Sequence, residues 1–486
     1  MQTEKFGPSA PGAQPPRADA GPEAAREAAL GSRIVYYVVA ILLTSLAATA
    51  LVTVSPEIAI GVAFACVCGV MVLARPFWGL LLYTCLFLIR PGELYPALAP
   101  LHLERVVGAL ALVGMFFGQY QREGRLLLDR SRQTNLLLIF LVTVLLSVPF
   151  AYWRMGAVNG FIEMLKLVAL YFLVVGLVDS RRRLRIYVGL LSLLTIYTAV
   201  VALRDYIRGT SYFAQGIDRA VGETSVASNP NQLGTTLAVA VPLFVLLALC
   251  RPLRGWRIFF GLSALLSVIT MTLTGSRASL LGFLAGVIYL WWTSRRRVLI
   301  GIVGLGLLVG GFLLMPDQYK TRYGTITSEE LDGSSKARVD TWITGLKMTI
   351  DRPVFGVGIR CFGTAHAGGY SPEYRRNWLE SHSLYIQVLA ELGLIGATVF
   401  LLLWSEFLRL NRRAARLLAA DDGWRVEGTL LKAVFAGFLV MLVSGIFGHS
   451  LLRDTWYVYA GLGLCVLRIY LRDAETAQSA VTCRFS

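Results

Sequence analysis

Charge is scarce in this 486-residue chain: Asp, Glu, Lys and Arg together make up 16% of it, against roughly 25% in an ordinary soluble domain. Histidine occurs four times and cysteine seven times. No Cys-x-x-Cys pair or Cys/His cluster has the spacing of a zinc site. Cys66, Cys68, Cys85, Cys250 and Cys465 fall in or at the ends of apolar runs, and Cys361 has no second cysteine in its own or a neighbouring long loop. A disulfide scaffold is thereby excluded. The shortage of charge excludes a soluble enzyme and a disordered chain. No internal repeat is evident.

What the chain has instead is apolar length. Hydrophobic residues reach 56% and gather in blocks of about 17–22 residues, enough to cross ~30 Å of hydrocarbon as a helix. The blocks run continuously apolar and do not alternate, so an outer-membrane barrel is excluded. Fourteen are read: 34–54, 57–74, 77–89, 104–118, 134–151, 158–178, 184–203, 229–250, 256–273, 277–293, 298–314, 383–408, 429–449 and 454–471. The fold class expected is an all-α integral membrane protein of about 12–14 transmembrane helices with a structured outer loop. The net charge of +16 sorts by loop: one side, with both termini, holds 28 Lys and Arg against 13 Asp and Glu, the other 17 against 15. That is a positive-inside signal, not a nucleic-acid footprint, and it assigns both termini to the cytoplasm.

Residues 1–33 are rich in Pro and Ala with no apolar period and read as a disordered cytoplasmic tail. The N-terminal helices then fill 34–203, and central helices fill 204–314, opened by an outer loop at 204–228. A large outer loop follows at 315–382, the C-terminal helices at 383–471 and a cytoplasmic tail at 472–486. Loops of such length are usually functional or disordered. The larger has helical periodicity in Val339, Trp342, Ile343, Leu346 and Ile350, with Asp332, Ser334 or Ser335 as a start and Pro353 as a stop. It reads as an amphipathic helix lying on the outer membrane face. Phe355-Gly356-Val357-Gly358 reads as a tight turn after it. The run from His382 to Leu408 is longer than one span requires, so His382 stands at the outer interface or the helix breaks near Gly393 and Gly396.

Four outer segments hold the polar residues. Arg204 and Arg208 share a helix face, and Arg219 and Asn231 follow in the same region; interfacial anchoring or substrate contact both fit. Arg277 opens a helix after a Gly275-Ser276 turn, which suits either a snorkelling anchor or an anion site. Arg338 borders the apolar stripe of the amphipathic helix, either as a solvated charge or reaching beneath it. His382, between Ser381 and Ser383, has an intrinsic pKa near ~6.5 that suits a general base. His366, His449 and His102 compete in weaker contexts. Glu163 and Lys166, three apart within a block, should pair. Mid-depth charge is otherwise sparse, which disfavours a transporter.

The run from Glu380-Ser381-His382-Ser383-Leu384-Tyr385 to Gly396 resembles the hallmark of the O-antigen ligase and O-antigen polymerase family, bacterial multi-span transferases of undecaprenyl-diphosphate glycans. So do Ala337-Arg338 to Trp342, Asp351 to Gly358, Gly275 to Ala278 and Asn229-Pro230-Asn231. The likeness covers roughly 200–400, and the first 200 residues match mainly in hydropathy. It implies a GT-C-type, inverting, metal-independent glycosyltransferase without a cofactor, in the bacterial inner membrane with its active site on the periplasmic face. Its partners are an undecaprenyl-diphosphate-linked glycan, a glycolipid or glycan acceptor and the bilayer, with no nucleic acid. Carried over by position, His382 is the catalytic histidine and Arg277 and Arg338 hold the diphosphate. Arg204, Arg208, Arg219, Asn231 and Arg360 are candidate additional substrate contacts. The family has twelve spans where fourteen blocks are read here, so two N-terminal blocks can be half-helices or a re-entrant pair.

The residues fit that chemistry. Arg is always charged and grips two oxygens of a diphosphate whose charge grows as the C1–O bond breaks. A neutral His382 can take the proton of an attacking hydroxyl. The Arg-rich outer loop, with Arg322, Arg360, Arg375 and Arg376, suits an anionic glycolipid acceptor such as lipid A–core and favours ligase over polymerase. A protein O-oligosaccharyltransferase and a lipid-linked glycan transporter are the more distant alternatives.

Overall fold

A computed structural model describes residues 45, 67–124, 129–214, 216–224, 227–294, 297–313, 317–324, 333–370 and 378–485. The expected amino-terminal tail, nearly all of the first block, Asp332, Arg375, Arg376 and the side chains of Arg322 and Ser334 lie outside the described residues. The protein is an all-α multi-span membrane protein: among the described residues eight helices are long and apolar enough to cross a bilayer.

The helices that matter below are α1 (Pro76–Ile89), α2 (Leu103–Glu123), α3 (Arg132–Ser147), α4 (Arg154–Leu177), α5 (Arg181–Ile207), α6 (Pro230–Leu249), α7 (Arg257–Leu273), α8 (Arg277–Thr293) and α9 (Arg297–Leu313). They continue with α10 (Gly333–Asp351), α11 (Leu384–Ala419), α12 (Arg425–Gly445) and α13 (Asp454–Phe485). Their starts follow the sequence. Ser131, Ser180, Asn229 and Ser276 each accept a hydrogen bond from a backbone N–H in the first turn, satisfying a donor that has no partner within the helix. Pro230 occupies the first turn of α6, where its missing N–H costs nothing. Upstream of α1, a helix over 67–74 ends at Arg75, whose non-helical backbone (φ −136°, ψ 72°) separates the two.

α6 lies at the centre, packed on α7, α8 and α12. Trp404, Phe407, Phe438 and Trp456 bind α11, α12 and α13 together, with ring centroids 4.4 Å apart for Phe407 and Phe438 and 4.8 Å for Trp404 and Trp456. At the end of the bundle away from His382, buried Glu427 receives Arg181 and Arg185, each at 2.9 Å. Two helices exceed their apolar blocks. α11 runs through Arg409–Arg416 to Ala419, and α13 runs through the segment expected as a tail to Phe485. Apolar periodicity marks the lipid-depth part of a helix and is silent about its charged extension.

The structure organises the loops in two ways that the sequence does not announce. The 204–228 loop holds a small antiparallel hairpin, β1 (Tyr212–Ala214) with β2 (Ile217–Arg219), in register Tyr212↔Arg219. The second is a docking between distant segments. α11 is interrupted at Gly393 (φ 64°, ψ −165°), a conformation open essentially only to glycine. The break frees backbone groups, and the 353–358 segment takes them up. Val357 and Gly358 donate to the carbonyls of Ala390 and Glu391 at 2.8 and 2.9 Å, and Leu394 donates to Pro353 O at 2.7 Å. Gly356 is left-handed, and a Cβ there would collide with the Ala390 carbonyl. The stretch expected as a tight turn is thus a plug that repairs the broken membrane helix.

Candidate active site

His382 sits two residues before α11, half-buried, in the left-handed region at φ 48°. Ser381 shapes that turn: its hydroxyl donates to Ser383 O at 3.0 Å. α10 holds the segment down, with Thr341 Oγ1 donating to Ser381 O at 3.2 Å and Gly345 packed directly against Ile386. The imidazole faces His449, ring centroids 5.9 Å apart. Burial first, then His449 and Arg338, push its pKa down to about 4; burial and Arg453 bring His449 to about 4 as well. Both rings are therefore neutral at pH 7.

The two arginines carried over by position come from different elements but reach the same region. Arg338, on α10, lies over the Phe447 ring at 5.9 Å, and Trp342 stacks beside the same ring at 6.3 Å. Its charge lowers the pKa of His382. Arg277 opens α8 and is only 7% exposed, too buried for an interfacial anchor. Its guanidinium reaches Ser335 at the start of α10 at 3.5 Å. The Gly275–Ser276 turn and the amphipathic helix are thereby joined.

The other sequence candidates divide. Arg219 is 4% exposed, its Nε donating to Thr274 O at 2.7 Å and a terminal nitrogen to Asn231 Oδ1 at 2.9 Å. It ties the hairpin, the α7–α8 turn and the start of α6 into one block. Asn231 lines a narrow pocket with His382, His449, Phe447 and Arg453. Arg360, left-handed at φ 60°, lines a neighbouring cavity of about 340 Å³. Arg204 is engaged by Asp205 and Glu223, and Arg208 is solvent-exposed at the end of α5. These two are not brought to His382. Of the competing histidines, His366 is buried against Phe362, and His102 lines a separate cavity near α1 and α2. Glu163 pairs with Lys166 at 2.9 Å. Cys361 is buried, its pKa pushed up to about 11 by burial, and is free of disulfide.

Arg453 escaped the sequence reading. It donates to Gln232 O at 2.6 Å, lines both the His382 pocket and the larger cavity, and burial lowers its pKa to about 10. The available signal was a charged Arg453-Asp454 pair closing the short loop that carries His449. Among the described residues, no three His, Cys, Asp or Glu side chains gather as metal ligands do.

A neutral imidazole beside Arg338, with Arg277 bonded to the start of the same helix, is an arrangement suited to moving a proton next to an anion. Residues 262–401 match the family model described as O-antigen ligase. That matched segment spans Arg277, Arg338 and His382, along with the plug and the break at Gly393; Arg219, Asn231, His449 and Arg453 lie outside it, on flanking segments. The chain is also similar to a Rickettsia conorii protein named "putative polysaccharide ligase", 24% identical over 217 residues, or 42% of this chain and 49% of that protein. The match thus spans about half the length of that curated relative.

Proposed function

We propose that this protein is an inverting, metal-independent glycosyltransferase. It moves a glycan from undecaprenyl diphosphate to a glycolipid acceptor such as lipid A–core, at the periplasmic face of the bacterial inner membrane, with both termini in the cytoplasm. The observation that carries the reading is the convergence on one another of Arg277, Arg338 and His382 from three separate segments, through the Arg277–Ser335 and Thr341–Ser381 hydrogen bonds. The residues act as follows. Arg277 and Arg338 hold the diphosphate oxygens and stabilise the charge that grows on them. The acceptor oxygen attacks C1 from the face opposite the diphosphate, the C1–O bond breaks with its electron pair passing to the diphosphate, and the hydroxyl proton passes to His382. The depressed pKa supports the neutral form that this step needs. The bound diphosphate, being anionic, raises that pKa again and strengthens the base in the complex.

The Arg-bearing structured cap favours a ligase, whose acceptor differs chemically from its donor, over a polymerase, whose two substrates share one lipid carrier. Removal of the gene tests this. Full-length chains stranded on undecaprenyl diphosphate are expected. Accumulation of single repeat units with short-capped glycolipid would identify a polymerase.

A further inference from the structure

Two hollows meet at His449, and their linings differ in kind. The narrow pocket that contains His382 is lined by Asn229, Asn231, Thr235 and Ser444 among others, and includes no carboxylate among the described residues. The cavity on the far side of His449 measures about 340 Å³, within the ~300–1,000 Å³ range of small-molecule sites. Four carboxylates face it, Glu163, Glu380, Glu391 and Asp454, together with the amides of Gln232 and Gln387 and three guanidinium groups, Arg90, Arg360 and Arg453. Gln232, His449, Ser450 and Arg453 belong to both linings, so the two spaces adjoin. Glu380 is two residues from His382 along the chain.

A polyhydroxylated ring needs both acceptors and donors around it, and this lining supplies both. Carboxylates and amide oxygens accept from sugar hydroxyls; guanidinium groups and amide nitrogens donate to them. The wall between the hollows offers further polar atoms. His449 Nδ1 and Ser450 Oγ are buried without a protein hydrogen-bond partner, and buried polar atoms ordinarily have one. Glu391 is held rigidly for such a role, its Oε1 receiving Phe362 N at 3.4 Å and its Oε2 receiving Gln387 Nε2 at 3.3 Å. The break at Gly393 lies two residues on, so the plug that repairs the helix also fixes this carboxylate.

We infer that the carboxylate-lined cavity between α1, α4, α11 and the start of α13 is the acceptor subsite, holding the uncharged sugar ring whose hydroxyl is delivered past His449 to His382. The donor diphosphate is then held outside this cavity, by Arg277 and Arg338. The inference rests on the transferase reading above and assigns its second substrate a place. The mixed donors and acceptors of the cavity give a sugar ring hydrogen-bond partners that the narrow pocket offers in smaller number.

The test uses the full-length protein in lipid nanodiscs, an undecaprenyl-diphosphate-linked glycan as donor and rough lipopolysaccharide from a strain lacking this gene as acceptor. Initial rates are measured while each substrate is varied in turn. Glu391→Gln and Glu380→Gln are expected to raise the acceptor KM at least about tenfold and leave the donor KM within about twofold; Glu380, half-buried before α11, covers the case in which the buried Glu391 variant fails to fold. Arg338→Lys is expected to show the opposite split. A Glu380→Gln protein with an unchanged acceptor KM, or with donor and acceptor KM raised alike, overturns the subsite while leaving the transferase reading intact. A wild-type protein that transfers nothing overturns both.

Discussion

The rings of His382 and His449 stand 5.9 Å apart, tilted by 58°. His382 heads the broken helix, and His449 belongs to the loop before α13. Burial chiefly, then His449 and Arg338, disfavours a proton on His382, and burial with Arg453 does the same for His449. The sign follows directly. A general base works in its neutral form, and a pKa lowered from 6.5 to about 4 keeps His382 neutral down to about pH 4. The acid limb of kcat/KM for the donor, which reports the free enzyme, is expected well below pH 6.5, and the limb of kcat higher, because the bound diphosphate favours the imidazolium. In His449→Ala the kcat/KM limb should move upward. An acid limb near pH 6.5 in both proteins contradicts this pairing.

Arg277→Lys and Arg338→Lys keep the charge but lose the two-pronged grip on phosphate oxygens. Each should lower kcat/KM for the donor by roughly 10–100-fold, or about 1.4–2.7 kcal/mol of transition-state stabilisation. Lys variants as active as wild type would reduce both residues to structural cations.

Arg219 is buried and donates to Thr274 O and Asn231 Oδ1. Removing it leaves buried acceptors unsatisfied, at a cost of about 1–3 kcal/mol. Arg219→Ala should therefore lower the melting temperature of the detergent-solubilised protein together with its activity, while Arg208→Ala, at an exposed helix end, changes neither. Equal effects from the two would count against the packing described.

Gly393→Ala places a Cβ within 2.5 Å of the Val354 carbonyl and in a backbone region closed to alanine. A loss of several kcal/mol is expected, seen as poor recovery of monodisperse protein by size-exclusion chromatography. Thr398→Ala, on the exposed face of the same helix, is the control. Normal recovery of the glycine variant would mean that the plug does not hold the break.

Helices, α10 included, and their start signals were legible because each rests on neighbours within a few residues. His382, Arg277 and Arg338 were singled out through motif likeness. What stayed hidden depends on contacts between distant residues. The docking of Val357 and Gly358 on the carbonyls of Ala390 and Glu391 joins segments more than thirty residues apart, and local periodicity carries no trace of it. Arg204 looked like a candidate substrate contact because its partner Glu223 lies 19 residues away. Arg453 was hidden by its position at a helix start, where a lone Arg–Asp pair reads as an end cap. Its contact with Gln232 crosses the whole central region.

The most direct test of the account is His382→Asn in the purified system with defined donor and acceptor. Asparagine tolerates the left-handed backbone that His382 adopts, so the fold and donor binding should survive, while loss of the general base lowers transfer by ~10²–10⁴. A His382→Asn protein that binds donor normally and transfers glycan at the wild-type rate would contradict the account.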